Sequence, residues 1–397
     1  MADHEVKLLL VGFGGYGNIY AGDLLNDPAC PPVKIVGVVD PMPENGKYFA
    51  DYQTRGIPFY PSMDAFFEND TADLAVISTP IQFHTAHILQ ALAHGCHVLC
   101  EKPLCGDPAD VDRLIAARDA AGKQVYIGFQ WSHSKAIQAL KADVMAGKFG
   151  APLEFKTLIL WPRDDNYWGR TTKWAGKIKA ADGSLIYDSV ANNAAAHYLH
   201  NMFYVLGDAV NTAQAPTALT ADLLRVNPIE NFDTARIVCT MQNGAKLHFI
   251  ASHTIDENVD PMFCYQFEKG TVYFSGEKTP EEKGIHNAAA YEYHCVKAVM
   301  NDGTVIRYGD PFLEECRKMH LAIRAAGGET VGELCGIETA AVHTRTIGRL
   351  QTTQTIHDVK KTLIERKDGL FFVKGLRERL IDAYERPETG ALSDFFE

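Results

Sequence analysis

Val6-Lys7-Leu8-Leu9-Leu10-Val11-Gly12-Phe13-Gly14-Gly15-Tyr16-Gly17 is the stretch on which the fold turns. A short apolar run without polar alternation reads as a strand buried on both faces, as in a parallel sheet. Glycines follow at once in the spacing G-x-G-x-x-G, and residues 18–25 behind them have helical character. In a strand–loop–helix unit, Gly12 permits the tight turn and Gly14 lets backbone approach a pyrophosphate. Gly17 then allows close helix–strand packing. Phe13, Gly15 and Tyr16 complete the loop, and the helix N-terminus offers unpaired N–H groups to phosphate. The spacing alone is a weak sign. Here a second strand ends at Asp40, where an acid hydrogen-bonds the adenosine ribose and repels a 2′-phosphate. The expected cofactor is NAD rather than NADP.

Working outward, strand-like runs at 33–39, 74–78, 97–99 and 124–129 alternate with helical segments at 63–68, 84–94 and 108–121. That alternation predicts a doubly wound α/β domain over residues 1–130. Beyond a helical stretch at 134–146 the strands lengthen, at 153–161, 217–226, 235–241, 245–252, 262–267, 271–274 and 304–308. Gln242-Asn243-Gly244 and Glu268-Lys269-Gly270 mark turns, the first through the readiness of Asn-Gly for positive φ. Residues 131–351 therefore read as an α+β domain with a large, mostly antiparallel open sheet, its last helices at 311–326 and 336–351. Residues 352–397 form a C-terminal extension with an amphipathic segment at 376–384. One face of the large sheet is expected to lack helices and to seek a partner, giving a homo-dimer or homo-tetramer.

The chain has 397 residues, 46% hydrophobic and 22% charged, enough for two well-filled cores. Its formal charge of −12 repels phosphate backbones, and no basic cluster is interleaved with aromatics, so nucleic acid is not an expected partner. Nine scattered cysteines, an odd number, read as reduced thiols. Cys96, Cys100 and Cys105 lie close together but match no zinc spacing, and no metal is expected. No apolar run approaches the roughly 20 residues of a membrane span. Residues 6–11 are committed to a strand rather than a leader. A cytoplasmic enzyme is the expectation.

Thr79-Pro80 and His84 follow the strand at 74–78, at the sheet edge where open α/β folds bind ligands. Glu101-Lys102-Pro103 closes the strand that starts at His97. A lysine there stands beside the nicotinamide. Partial burial and the ring's positive charge both disfavour the ammonium, which suits Lys102 to accept an alcohol proton. The Lys–Pro bond is a candidate cis peptide. A surface ion pair of Glu101 with Lys102 is the bland alternative, just as His84 is equally readable as a helix start.

Together the glycine loop, Asp40, Thr79-Pro80 with His84, and the run Ala91–Leu104 containing His97-Val98-Leu99-Cys100-Glu101-Lys102-Pro103-Leu104 resemble the glucose-fructose oxidoreductase / inositol dehydrogenase / rhizopine-catabolism (Gfo/Idh/MocA) family. Gly128-Phe129-Gln130 resembles that family's last Rossmann strand. The resemblance is clear over residues 6–150 and patchier beyond. It implies that Lys102 touches substrate and cofactor, that Glu101 and Gln130 flank the cofactor, and that the substrate is a sugar, sugar derivative or cyclitol.

The family's second element, an Asp, a His four residues on and an Asp three further, is irregular here. Asp188 fits the first acid, but strict counting puts Asn192 at the His position. Anchoring on Gly207 instead puts His197 there, with His200 in place of the last acid. A neutral His197 would relay the proton, oriented by Asp188 or His200; a satisfied core histidine is the plain alternative. Asn192 and Asn193 suit substrate hydroxyls.

Trp161, Trp168 and Trp174, with Arg163, Tyr167, Arg170 and Lys173, crowd one segment. Arg163, Tyr167 and Trp168 suit a carbohydrate pocket, or equally an arm packed on a neighbouring subunit. The first functional expectation is NAD-dependent oxidation or reduction of a secondary alcohol on a sugar, glycoside or cyclitol. Redox-assisted glycoside cleavage and a non-catalytic sugar or dinucleotide sensor stand as alternatives.

Overall fold

A computed structural model describes residues 5–169, 174–332 and 334–397. Arg170 and Lys173 lie outside the described residues. The chain divides into two compact units, Met1–His133 with Glu314–Ala341, and Ser134–Leu313 with Val342–Glu397.

In the first unit, β1 (Val6–Val11), β2 (Val33–Val39), β3 (Phe59–Tyr60), β4 (Leu74–Ile77), β5 (His97–Cys100) and β6 (Val125–Ile127) form a parallel sheet. Its order is β3-β2-β1-β4-β5-β6, the doubly wound arrangement. The crossover helices are α1 (Gly17–Asn26), α2 (Phe49–Thr54), α3 (Met63–Phe67), α4 (His84–Ala93) and α5 (Val111–Ala121). Leu8, Leu10, Val38, Val76 and Leu99 are buried against Tyr20 and Ala21 of α1.

The second unit carries α6 (Lys135–Met145), β7 (Pro152–Leu160), α7 (Asp165–Trp168) and α8 (Ala196–Val205). Then come β8 (Ala218–Arg225), β9 (Thr234–Thr240), β10 (Lys246–Ser252), β11 (Val259–Phe267), β12 (Gly270–Ser275), β13 (Val296–Met300) and β14 (Val305–Gly309). With β15 (Ile356–Asp358) they make a nine-stranded sheet ordered β14-β13-β12-β11-β7-β10-β9-β8-β15. It is mostly antiparallel; β7 with β10 and β8 with β15 are parallel. Both expected turns join antiparallel neighbours, β9 to β10 and β11 to β12.

Three differences from the sequence reading have a common cause, apolar stripes late in the chain. The helix expected over 311–326 begins only at α9 (Arg317–Ala326), and its Met319, Ala322 and Ile323 bury against the parallel sheet. Glu314–Ala341 accordingly groups with the Rossmann strands, and the division falls inside α10 (Ile337–Thr353). Residues 352–397 pack into the second unit as a hairpin, β16 (Ile364–Lys367) and β17 (Leu370–Val373), followed by α11 (Leu376–Glu385). The face expected to be open is covered there. Leu376, Leu380 and Tyr384 of α11 bury against Leu158, Leu160, Ile250 and Met262. Alternation along a strand puts Thr157 and Tyr265 on the opposite face, where Asn201 of α8 donates to the Tyr265 hydroxyl at 3.2 Å.

Candidate active site: a nucleotide loop and a buried carboxylate in one unit, an aromatic platform in the other

Each glycine of the loop has a checkable reason. At Gly12, φ is +92° and a Cβ would stand 2.9 Å from the Ser78 carbonyl carbon. At Gly17 a Cβ would stand 2.4 Å from the Gly12 carbonyl oxygen, so α1 and the loop touch backbone to backbone. Gly14 is different: a Cβ there would meet nothing within 4 Å. Internal packing does not require that glycine, which fits a position kept bare for a ligand's phosphates. Asp40 braces the same loop, accepting from the Phe13 N–H at 2.8 Å and, with its other oxygen, from the Met42 N–H at 2.9 Å. The Phe13 ring itself is buried edge-on against Tyr52.

At the end of β4, the Thr79 hydroxyl pairs with His87 Nδ1 at 3.1 Å. His84 opens α4 and is buried. Its Nδ1 lies 2.7 Å from the Pro103 carbonyl and its Nε2 2.9 Å from the Thr79 carbonyl. Both ring nitrogens thus face backbone between Thr79-Pro80 and the cis Lys102-Pro103 bond, where the structure gives His84 a bracing position. Burial lowers its pKa, against the pull of those two carbonyls.

Glu101 is a buried partner of Lys318 rather than a surface group. It is 5% exposed and its Oε1 accepts from the Tyr20 hydroxyl at 2.6 Å and from Lys318 Nζ at 2.7 Å. Burial pushes the Glu101 pKa up, but the Lys318 charge and hydrogen bond, with Tyr20 and Lys102, outweigh it and hold the carboxyl below its ordinary value. Lys318 is fully buried; it also donates to the Tyr16 hydroxyl at 3.0 Å and the Gly128 carbonyl at 3.3 Å. A Cβ at Gly128 would stand 2.5 Å from Glu101 Oε1, which explains that glycine. Tyr16 of the glycine loop, Glu101 beside Lys102, and the end of β6 are thereby tied to one ammonium. Gln130 follows in a short 3-10 turn, Gln130–His133. Lys318 and Tyr20 escaped the sequence reading; the available signal was a lysine on the apolar stripe of α9, in line with Ala322 and Ala325.

In the second unit Asp188 is buried, and its Oδ2 accepts from the Gly176 N–H at 2.5 Å. Asn192 is also buried; its amide donates to the Tyr187 carbonyl at 3.1 Å and the Ile186 carbonyl at 3.3 Å. Residues 189–195 are bends and turns, and α8 begins at Ala196. His197 stands in its first turn, partly exposed, as is Asn193 in the turns before it. His200 is buried one turn on, stacked with Tyr204.

The aromatic segment meets this helix through Trp161, whose ring lies edge-on to Tyr198 at 5.8 Å and whose Nε1 donates to Asp260 at 2.9 Å. The Arg163 guanidinium lies 5.1 Å over Tyr167, and Tyr167 is edge-on to Trp168 at 4.8 Å. His253 closes the group, 5.7 Å from Tyr167 and 5.9 Å from Trp168, its Nδ1 2.7 Å from the Trp161 carbonyl. His253 was not anticipated, because only strand pairing brings β10's end to this segment. The late hairpin holds the platform's rim: Asp165 takes the Gly369 carbonyl with its N–H at 3.0 Å and pairs with Arg366.

The three neighbouring cysteines stay apart in role: Cys96 donates to the Ala72 carbonyl and Cys105 to the Asp107 carbonyl. None of the nine cysteines is in a disulfide. Among the described residues, no helix is long and apolar enough to cross a membrane.

A Rossmann unit with a glycine loop and a lysine at a strand's carboxyl end, followed in the chain by a large-sheet unit, is the architecture of the NAD-binding oxidoreductase class. Family comparison makes this particular. Residues 6–129 match the model of the oxidoreductase family with an NAD-binding Rossmann fold, and residues 137–273 match the Gfo/Idh/MocA C-terminal domain. The chain belongs to the Gfo/Idh/MocA family. It is 30% identical over 152 residues to an inositol 2-dehydrogenase of Acidothermus cellulolyticus, covering 38% of this chain and 44% of that one. It is 28% identical over 195 residues to a D-apiose dehydrogenase of Rhizobium rhizogenes, covering 47% and 49%. The chain thus spans about half the length of these curated relatives. The fold is similar to that of the WlbA dehydrogenase of Bordetella pertussis, solved with NADH and UDP-GlcNAcA. There the TM-score is 0.66 at 18% identity, over 88% of this chain and 96% of that one. An aldose-aldose oxidoreductase of Caulobacter crescentus gives 0.64 at 19%, over 88% and 97%.

Proposed function

We propose that the chain oxidises or reduces a secondary alcohol of a sugar, glycoside or cyclitol, with Lys102 handling the hydroxyl proton and His197 relaying it. The observation that carries this reading is the buried Glu101–Lys318 pair, which fixes the backbone next to Lys102 at the carboxyl end of β5. NAD, when bound, supplies the hydride acceptor. Gly12–Gly17 and Asp40 hold it, with Thr79, Pro80, Glu101 and Gln130 along the strand ends and His84 bracing them. In oxidation, the alcohol O–H proton passes to neutral Lys102 as the carbon's hydride leaves. In reduction, the ammonium returns it. Proton handling of this kind contributes about 10²–10⁴-fold, and alignment at near-attack distance contributes more.

Arg163, Tyr167 and Trp168 form the sugar-facing platform, where aromatic faces take C–H surfaces and the guanidinium takes hydroxyls. Asp188, with one oxygen on the Gly176 N–H, orients His197, and Asn192, bonded to backbone carbonyls, shapes the turn that carries Asn193 and His197 toward substrate. We keep the cytoplasm and a homo-dimer or homo-tetramer within the proposal on the family resemblance; light scattering reads the latter directly.

The test is a panel of inositols, free sugars and simple glycosides with purified protein and NAD, following NADH absorbance and released aglycone together. NADH on one compound class is expected. Aglycone without NADH would replace this reading with redox-assisted cleavage. Silence despite NAD binding would replace it with a sensor.

A further inference from the structure

Asp23 on α1, Cys30 in the loop to β2, and His320 on the first turn of α9 come from distant parts of the chain, yet their ligand atoms all lie within 4.8 Å of one another. They line or adjoin a cavity of about 550 Å³ that also takes in Asn18, Lys47 and Glu315. None of the three has a part in the dehydrogenase proposed above. The Asp23 Oδ2 to His320 Nε2 distance is 2.7 Å, with both side chains largely buried. The Cys30 thiol donates to the Pro31 carbonyl at 3.6 Å, and Cys316 stands one turn before His320 on the same helix and lines the same cavity. A carboxylate, a thiol and an imidazole are thus gathered into one small volume.

We propose that Asp23, Cys30 and His320 bind a divalent, sulfur-tolerant cation, zinc by its chemistry. Carboxylate, thiolate and neutral imidazole form a zinc donor set, whereas magnesium and calcium demand oxygen alone. Bond lengths of about 2.0–2.3 Å put the ligand atoms of a tetrahedral site roughly 3–4 Å apart, so the widest spacing in the cluster has to contract by roughly 1–2 Å. Charge balances as well. The dication takes one carboxylate and one thiolate as its anionic ligands, and the thiol proton leaves to solvent. The consequence is structural: one ion clips α9 to α1, two residues from the Lys318 that holds Glu101.

The experiment uses full-length protein stripped with chelator, reloaded with zinc chloride and gel-filtered. About one zinc per chain is expected by elemental analysis, and none beyond background in a Cys30→Ser/His320→Ala variant that still binds NAD. Wild-type protein alone gives a second reading. Zinc should slow alkylation of Cys30 at least about tenfold by peptide mass, since a bound thiolate is no longer the free nucleophile. Cobalt in its place should give a thiolate charge-transfer band. Equal zinc in both proteins is an adventitious ion and overturns the site, as does a Cys30 alkylated equally fast with and without zinc.

Discussion

The Glu101–Lys102 corner and the Asp188–His200 segment carry the two halves of the proposed proton path, and they are built on opposite plans. At the first, the carboxylate next to Lys102 is tied to regular secondary structure: Glu101 sits under Gly128 and is held by Tyr20 and Lys318. At the second, seven residues of bend and turn precede α8, and Asp188 and Asn192 hydrogen-bond the backbone of their own neighbourhood. A site on strand ends is positioned by the sheet; a site on a turn has to position itself. The difference predicts where substitutions cut activity and where they cut stability.

Replacing Lys102 by Met is the largest break. Turnover is expected to fall about 10²–10⁴-fold, while the NAD dissociation constant, by fluorescence titration, stays within about threefold. Unchanged turnover would remove the lysine from the mechanism. Lys318→Met tests the scaffold beneath it. An unpaired buried carboxylate costs about 3–5 kcal/mol at neutral pH, read as a lower denaturation midpoint. The pH dependence changes sign. In the native protein Glu101 has a folded pKa below its unfolded value, so its stabilisation is present above about pH 4.5 and is lost as pH falls through the folded value. Without Lys318 the burial that pushes this carboxyl up is opposed only by Tyr20 and Lys102, and the variant should gain stability as pH falls from 7 toward 5. A Lys318→Met/Glu101→Gln double variant should recover most of the loss. A variant with the native profile would mean that the pair does not hold.

Gly14→Ala asks a narrower question of the same unit. Its Cβ meets nothing in the chain, so the melting temperature should not move. NAD binding should weaken about tenfold to a hundredfold, the range of one methyl forced against a tightly seated group. Gly12→Ala and Gly17→Ala, with contacts of 2.9 and 2.4 Å, should lose stability instead. A Gly14→Ala protein that binds NAD normally would detach the bare loop from phosphate.

These expectations also mark what the sequence could convey. The glycine loop, Asp40, the cis Lys102-Pro103 bond and the alternating strands were legible, because their meaning lies in local backbone geometry over a few residues. Lys318, Tyr20 and His253 were not. Each acquires its role from a partner far along the chain, and a lysine on a helix reads as solvent-facing until the sheet that buries it is known. The same holds for α11, whose amphipathic stripe was visible but whose target, the face of the large sheet judged open, was not.

The smallest effect bears on the register left open at the second element. Asn192 and His197 both answer to the family's histidine, but they differ in what they touch. Asn192 is buried and donates to the carbonyls of Ile186 and of Tyr187, a non-glycine residue held at φ +50°. Removing its amide leaves those carbonyls unpaired, so Asn192→Ala should cost about 1–3 kcal/mol of stability with turnover per folded molecule nearly intact. His197 is partly exposed on the first turn of α8, and an alanine there substitutes at a good helix position. His197→Ala should leave stability within about 1 kcal/mol and lower turnover about tenfold, less than Lys102→Met because Lys102 remains to take the proton. The discriminating readout is the pH profile of kcat. Loss of a relay removes the limb that titrates with the imidazole, whereas loss of packing lowers the whole curve without changing its shape. If His197→Ala leaves the profile unchanged and Asn192→Ala lowers turnover per folded molecule, the strict count was the right one, and the turn supplies a substrate contact as well as position.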